Sequence, residues 1–155
     1  MRKHAILVAV LGLLVVGPAY AQNVTSARLL EQGVYSAQLS KEEKSGKTVS
    51  TGYKLVKAGA AIDSGDYEVG QFEDGYPRIG FWWYLDGNPV GKIVELKMIK
   101  INPDGTTNTS SWSRALGKKA WNGMRVTEWK EAAGKTTFQM WYGSRKLMET
   151  SFDVK

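Results

Sequence analysis

Two turn signals in the second half of the chain constrain its fold more than any other feature. Asp86-Gly87-Asn88-Pro89 and Asn102-Pro103-Asp104-Gly105 are built from the residues that tight turns require. Between them, Lys92 to Ile101 sets Val94, Leu96 and Met98 opposite Glu95 and Lys97, the two-residue period of a half-buried strand. Before the first turn, Ile79 to Leu85 is dominated by aromatic and β-favouring side chains. The same rhythm predicts strands at Gly33–Leu39, Ser50–Ala58, Gly123–Trp129, Thr136–Tyr142 and Leu147–Val154, with a short one at Tyr67–Phe72. Gly143-Ser144-Arg145 closes a final hairpin. Asn23 to Leu30 has no clear period and reads as an arm or a short helix leading into the first strand. Lys41 to Lys47 is a charged loop, and Ala115 to Ala120 makes one helical turn at most. Short strands punctuated at regular spacing predict an all-β sandwich or barrel.

The first 21 residues follow the order of a secretory signal. Arg2 and Lys3 supply positive charge, Ala5 to Val16 are apolar, Gly17-Pro18 break the run, and Ala19-Tyr20-Ala21 offers small residues for cleavage before Gln22. A spanning helix needs roughly 18 or more apolar residues, so this run predicts export to the periplasm or the medium and no membrane span. Removing 21 of the 155 residues leaves 134, the size of one domain, here 22–155, that can bury a core unaided. The chain has no cysteine, so its stability is expected to come from packing, without disulfides. Taking Arg2 and Lys3 from the 21 basic side chains leaves 19 against 15 acidic ones, a net charge of +4. That mild bias serves solubility and is not a nucleic-acid signature.

His4 is the one histidine and lies in the predicted leader. Without His or Cys, the remaining chain lacks the usual nucleophile pairs and the ligands of zinc, copper, haem and iron–sulfur sites, so no metal, cofactor or catalytic residue is assigned. Ser45-Gly46-Lys47-Thr48 and Ala133-Gly134-Lys135-Thr136 echo a phosphate-binding loop. The glycine that loop needs five positions earlier is Lys41 in one and Trp129 in the other. Asp63, Asp66, Glu68, Glu73 and Asp74 crowd together, without the spacing of a calcium loop. Such carboxylates are also the raw material of a glycosidase, whose pair must stand about 5 to 10 Å apart.

Three blocks carry a family resemblance. Glu31-Gln-Gly-Val-Tyr35, Ile79-Gly-Phe-Trp-Trp-Tyr-Leu-Asp-Gly-Asn-Pro-Val-Gly91 and the closing hairpin Gly134 to Val154 resemble, in order, a bacterial exported family catalogued as domain of unknown function 3859. The resemblance implies an immunoglobulin-like antiparallel β-sandwich of about seven to nine strands and no known activity. The acidic stretch Gln71-Phe-Glu-Asp-Gly-Tyr-Pro77 departs from that family's pattern.

Aromatic side chains supply the binding candidates. In Ile79–Asp86, residues Ile79, Phe81, Trp83 and Leu85 share one face, and Trp82 and Tyr84 take the other. Applied to the later strands, alternation sends Trp141, Arg125 and Trp129 outward, with Lys97 and Gln139 beside them. Flat rings next to hydrogen-bonding groups suit a sugar or protein surface. The expected ligand-binding set is therefore Trp82, Tyr84, Trp129, Trp141 and Arg125, in a non-enzymatic module of the cell envelope whose partner is a protein or a glycan. A carbohydrate-active enzyme using paired carboxylates and a self-assembling envelope protein, for instance a homodimer, are the alternatives.

Overall fold

A computed structural model describes residues 24–87, 91–115 and 117–155. The predicted leader, Met1 to Ala21 with His4, lies outside the described residues, as do Asn88 and Pro89 of the first turn. Among the described residues, nine strands form two sheets. They are β1 (Val24–Lys41), β2 (Thr48–Ala58), β3 (Ala61–Ile62), β4 (Arg78–Gly87), β5 (Ile93–Ile101), β6 (Thr107–Ala115), β7 (Lys119–Arg125), β8 (Gly134–Tyr142) and β9 (Arg145–Val154). The first sheet runs β2-β1-β4-β7 and the second β3-β9-β8-β5-β6. All pairings are antiparallel except β3 with β9, which is parallel and departs from the all-antiparallel expectation.

The core lies between the sheets and follows the predicted alternation. Ile79, Phe81, Trp83 and Leu85 of β4 are buried against Val94 and Leu96 of β5, Phe138 and Met140 of β8, and Phe152 and Val154 of β9. Phe138 is the hub of an aromatic chain, tilted against Phe81 at 5.3 Å and edge-on to Phe152 at 6.0 Å. These are geometries that the ring quadrupole favours. Trp83 is fully buried.

Turn chemistry sets register. In the β5–β6 connection Gly105 donates to the Asn102 carbonyl at 2.9 Å with φ +85°, and the Asp104 carboxylate accepts from the Thr106 backbone at 2.9 Å. The β8–β9 hairpin turns on Gly143 and Ser144, with positive φ at Gly143 alone. A glycine at the first central position suits the twist of the flanking strands.

Five expectations change. Asn23–Leu30 is no helix, since its described part, from Val24, belongs to an 18-residue β1 that holds register with β4 through two shifts. Tyr67–Phe72 is not a strand. Two 3-10 turns, Ser64–Asp66 and Val69–Gln71, replace it, because Asp63 caps the Gly65 amide and Glu68 forms a capping box with Gln71. The strand placed at Gly123–Trp129 is β7, shifted back to 119–125, and Trp129 opens a four-residue helix, α1 (Trp129–Ala132). Strand β6 was not expected, because its Thr/Ser-rich sequence has no apolar face to reveal it. Within 115–120, where Leu116 lies outside the described residues, Ala115 ends β6 and Lys119 and Ala120 open β7 in place of the single helical turn.

Candidate functional site

The outer face of the first sheet is built around three glycines in adjacent strands. Gly33 of β1 pairs with Gly80 of β4, and Gly80 pairs with Gly123 of β7, so one row across the sheet carries no side chain. The Trp121 indole lies over that row. A β-carbon at Gly80 would stand 2.5 Å from the Trp121 ring, and one at Gly123 would stand 2.7 Å from it. From the opposite edge strand, Tyr53 reaches inward and stacks on Trp121 at 3.8 Å and 17°. Tyr35 meets the same indole edge-on at 5.9 Å and is fully buried although it faces away from the main core. Its hydroxyl donates to Glu31 at 3.0 Å, and burial followed by that carboxylate pushes the phenol pKa well up, so the ring stays neutral. This face therefore has its own small aromatic layer.

Trp82 and Tyr84 follow on the same face, half-buried. Trp82 stands directly opposite Trp121 across β4 and β7. Cations cover the outward rings. Lys119 sits 5.1 Å from the Trp82 ring centre, Arg28 4.8 Å from Tyr84 and Arg125 3.7 Å from Tyr76. Such contacts contribute about 0.5–1 kcal/mol at exposed sites. Arg28 is tied to Asp86 at 3.3 Å. Arg78 is chelated by Asp74, whose carboxyl pKa is held below its ordinary value first by that hydrogen bond.

Between Tyr53, Trp82 and Trp121 lies an open groove of about 400 Å³, completed by Ser50, Thr51, Gly52, Arg114, Lys119 and Ala120. Its lining offers aromatic rings, hydroxyl groups and two cations, and no carboxylate, with both faces of Trp121 already taken up by the glycine row and Tyr53. Arg114 crosses from the second sheet and donates to the Trp121 carbonyl at 3.0 Å, which leaves its charge beside the groove.

The expected aromatic set is not one surface. Trp82 and Tyr84 belong together on the outer face of the first sheet, and Arg125 lies at the far end of that face against Tyr76. Trp141 is on the outer face of the second sheet, across the whole sandwich. There it does meet its expected neighbours, with Lys97 4.9 Å over the ring and Gln139 accepting from its indole N–H at 3.1 Å. Trp129 is on α1, stacked on Tyr67 at 5.3 Å and packed against the core edge. Alternation along separate strands assigns an inside and an outside but not which sheet owns the outside, so four rings that alternation groups together fall on three different surfaces. Tyr53, Trp121 and Lys119 were missed. The signal for them was the glycine spacing, since a strand glycine marks a close approach by something else.

The acidic cluster is dispersed into separate structural tasks. Asp63 caps a turn, Asp66 pairs with Lys57, Glu68 forms the capping box, Glu73 accepts from the Leu39 amide at 2.8 Å and Asp74 holds Arg78. Among the described residues, no three His, Cys, Asp or Glu side chains converge as a metal site. None of the helices described is long and apolar enough to cross a membrane.

No protein-family model matches the chain, and no curated protein does. The resemblance to the family of unknown function therefore rests on the three sequence blocks alone. Among solved structures, the chain is similar to an immunoglobulin-like protein from Pseudomonas aeruginosa, with a TM-score of 0.51 and 20% identity over 84% of this chain and 98% of that one. That likeness establishes the architecture as an immunoglobulin-like β-sandwich of nine strands.

Proposed function

We propose that this protein is a non-enzymatic binding module of the bacterial cell envelope and that its ligand is a glycan lying in the groove between Tyr53, Trp82 and Trp121. The observation that carries the reading is the composition of the groove: the rings of Tyr53 and Trp82 beside Trp121, the hydroxyl groups of Ser50 and Thr51 and the Lys119 and Arg114 charges, with no carboxylate in the lining. Sugar rings present flat C–H faces that stack on indole and phenol, and their hydroxyls exchange hydrogen bonds with short polar side chains. The two cations favour a glycan that bears acidic groups. The envelope location is part of the proposal and rests on the Arg2 to Ala21 signal pattern.

The test is titration of the purified domain with matched acidic and neutral oligosaccharides, followed by tryptophan fluorescence and calorimetry. Acidic ligands should bind more tightly, and Trp82→Ala should weaken binding about tenfold, on the order of 1.4 kcal/mol, with stability nearly intact. Lys119→Gln should erase the preference for acidic over neutral ligands. Equal affinity of wild type and Trp82→Ala for every glycan that binds would refute the groove as the site.

A further inference from the structure

Each open sheet offers two edge strands, and three of the four edges here are protected. Strand β2 is irregular, with two register shifts against β1, and carries Lys54 and Lys57. Strand β3 is two residues long and pairs with Asp153 and Val154 alone, and the rest of β9 carries Arg145 and Lys146 and holds to β8 through a register shift. The free edge of β7 carries Lys119 and Arg125, and Arg114 takes up its Trp121 carbonyl. Shortness, bulges, lysines and covering groups are the devices by which proteins keep an edge from pairing. Strand β6 has none of them. It pairs with β5 through nine consecutive residues, Thr107 to Ala115, without a register shift, and contains neither proline nor lysine. All its residues are exposed except Trp112, which is half-buried, and among the described residues no hydrogen bond other than those to β5 reaches its backbone.

We propose that β6 is an interaction edge that pairs antiparallel with β6 of a second copy of this chain, joining the two second sheets into one ten-stranded sheet. The sequence of β6 is compatible with itself in this arrangement. With Ser111 on the two-fold axis all nine residues overlap, Thr109 faces Ser113, and Ser110 faces Trp112. The one charge, Arg114, faces Asn108 and meets no like charge. Thr and Ser pairs across strands are favourable, whereas like charges directly opposite are not. Lys97 is the nearest cation of β5 and pairs with Ser111. It would stand three strand spacings from its symmetry mate, roughly 14 Å and beyond the screening length at physiological salt. Failure of the glycan reading would leave this inference standing, because it rests on the backbone edge of β6, from which the Arg114 side chain alone reaches the groove.

The cysteine-free chain makes the test direct. Light scattering across a wide concentration range should show the mass double. A single Ser111→Cys variant should form a disulfide dimer under mild oxidation, because residues paired on the axis lie about 4.5–5.5 Å apart, within disulfide reach. Thr109→Cys is the control, since its symmetry mate would be offset by four residues, about 13 Å. Ser111→Lys, at an exposed position, should keep the melting temperature of the monomer and halve the mass at high concentration. A monomeric mass at every concentration, crosslinking of Thr109→Cys as fast as Ser111→Cys, or a Ser111→Lys variant that still dimerises would each overturn the proposal.

Discussion

At Gly80 an added methyl group would meet the Trp121 ring at 2.5 Å and the Asn122 carbonyl oxygen at 2.6 Å. Neither neighbour can yield easily. The carbonyl belongs to the β7 backbone, and the indole is held from its other side by Tyr53 at 3.8 Å. Gly80→Ala should therefore lift Trp121 out of its trough and destabilise the protein by about 1–3 kcal/mol, as overpacking does. Denaturant unfolding measures this, and the stacked pair lining the groove should loosen with it. An unchanged midpoint would mean that the glycine row does not position Trp121. The same contacts explain why a tryptophan on an outer sheet face is not a loose exposed ring, since its area is buried on backbone instead of on side chains.

The connection from β3 to β4 is an element without strand or long helix, and it is tied to the sheets by its acidic side chains. Asp74 is the firmest of these ties, because its carboxylate takes two guanidinium nitrogens of Arg78 at the start of β4. That pairing also offsets the Arg125 charge, which stands opposite Arg78 across the β4–β7 ladder. With its folded pKa depressed, Asp74 contributes stability that is present above its unfolded value, about 3.9, and lost as pH falls through the folded value. Melting temperatures followed from pH 7 into this acid range should fall more steeply for wild type than for Asp74→Asn. The variant should be the less stable of the two near neutrality. Parallel pH profiles would show that the carboxylate titrates without consequence for the loop.

Across the whole molecule, two sheets close on one aromatic and aliphatic core, in which Trp83 is fully buried, with no crosslink. Packing alone must then hold the fold. The prediction is that unfolding is cooperative and that the melting temperature is the same with EDTA, with added calcium and with thiol reductant, measured by calorimetry. A drop in EDTA that calcium reverses would revive a site among the Asp63 to Asp74 carboxylates.

Strand alternation and turn residues are local properties, and the sequence by itself determined what depends on them. These were the all-β class, the β4, β5, β8 and β9 strands, the two hairpin turns within the described residues and the inward set Ile79, Phe81, Trp83 and Leu85. It could not find β6, whose Thr and Ser residues cover an exposed surface and leave no period. Capping bonds outweighed β propensity at Tyr67–Phe72. Only the tertiary structure decided which outer face each aromatic joins, because an outward direction is defined along one strand, whereas a surface needs the order of strands in each sheet. Gly33, Gly80 and Gly123 lie more than forty residues apart in sequence and become a single trough only when β1, β4 and β7 lie side by side. The groove over that trough is a product of strand order and register, which no single segment of the chain encodes.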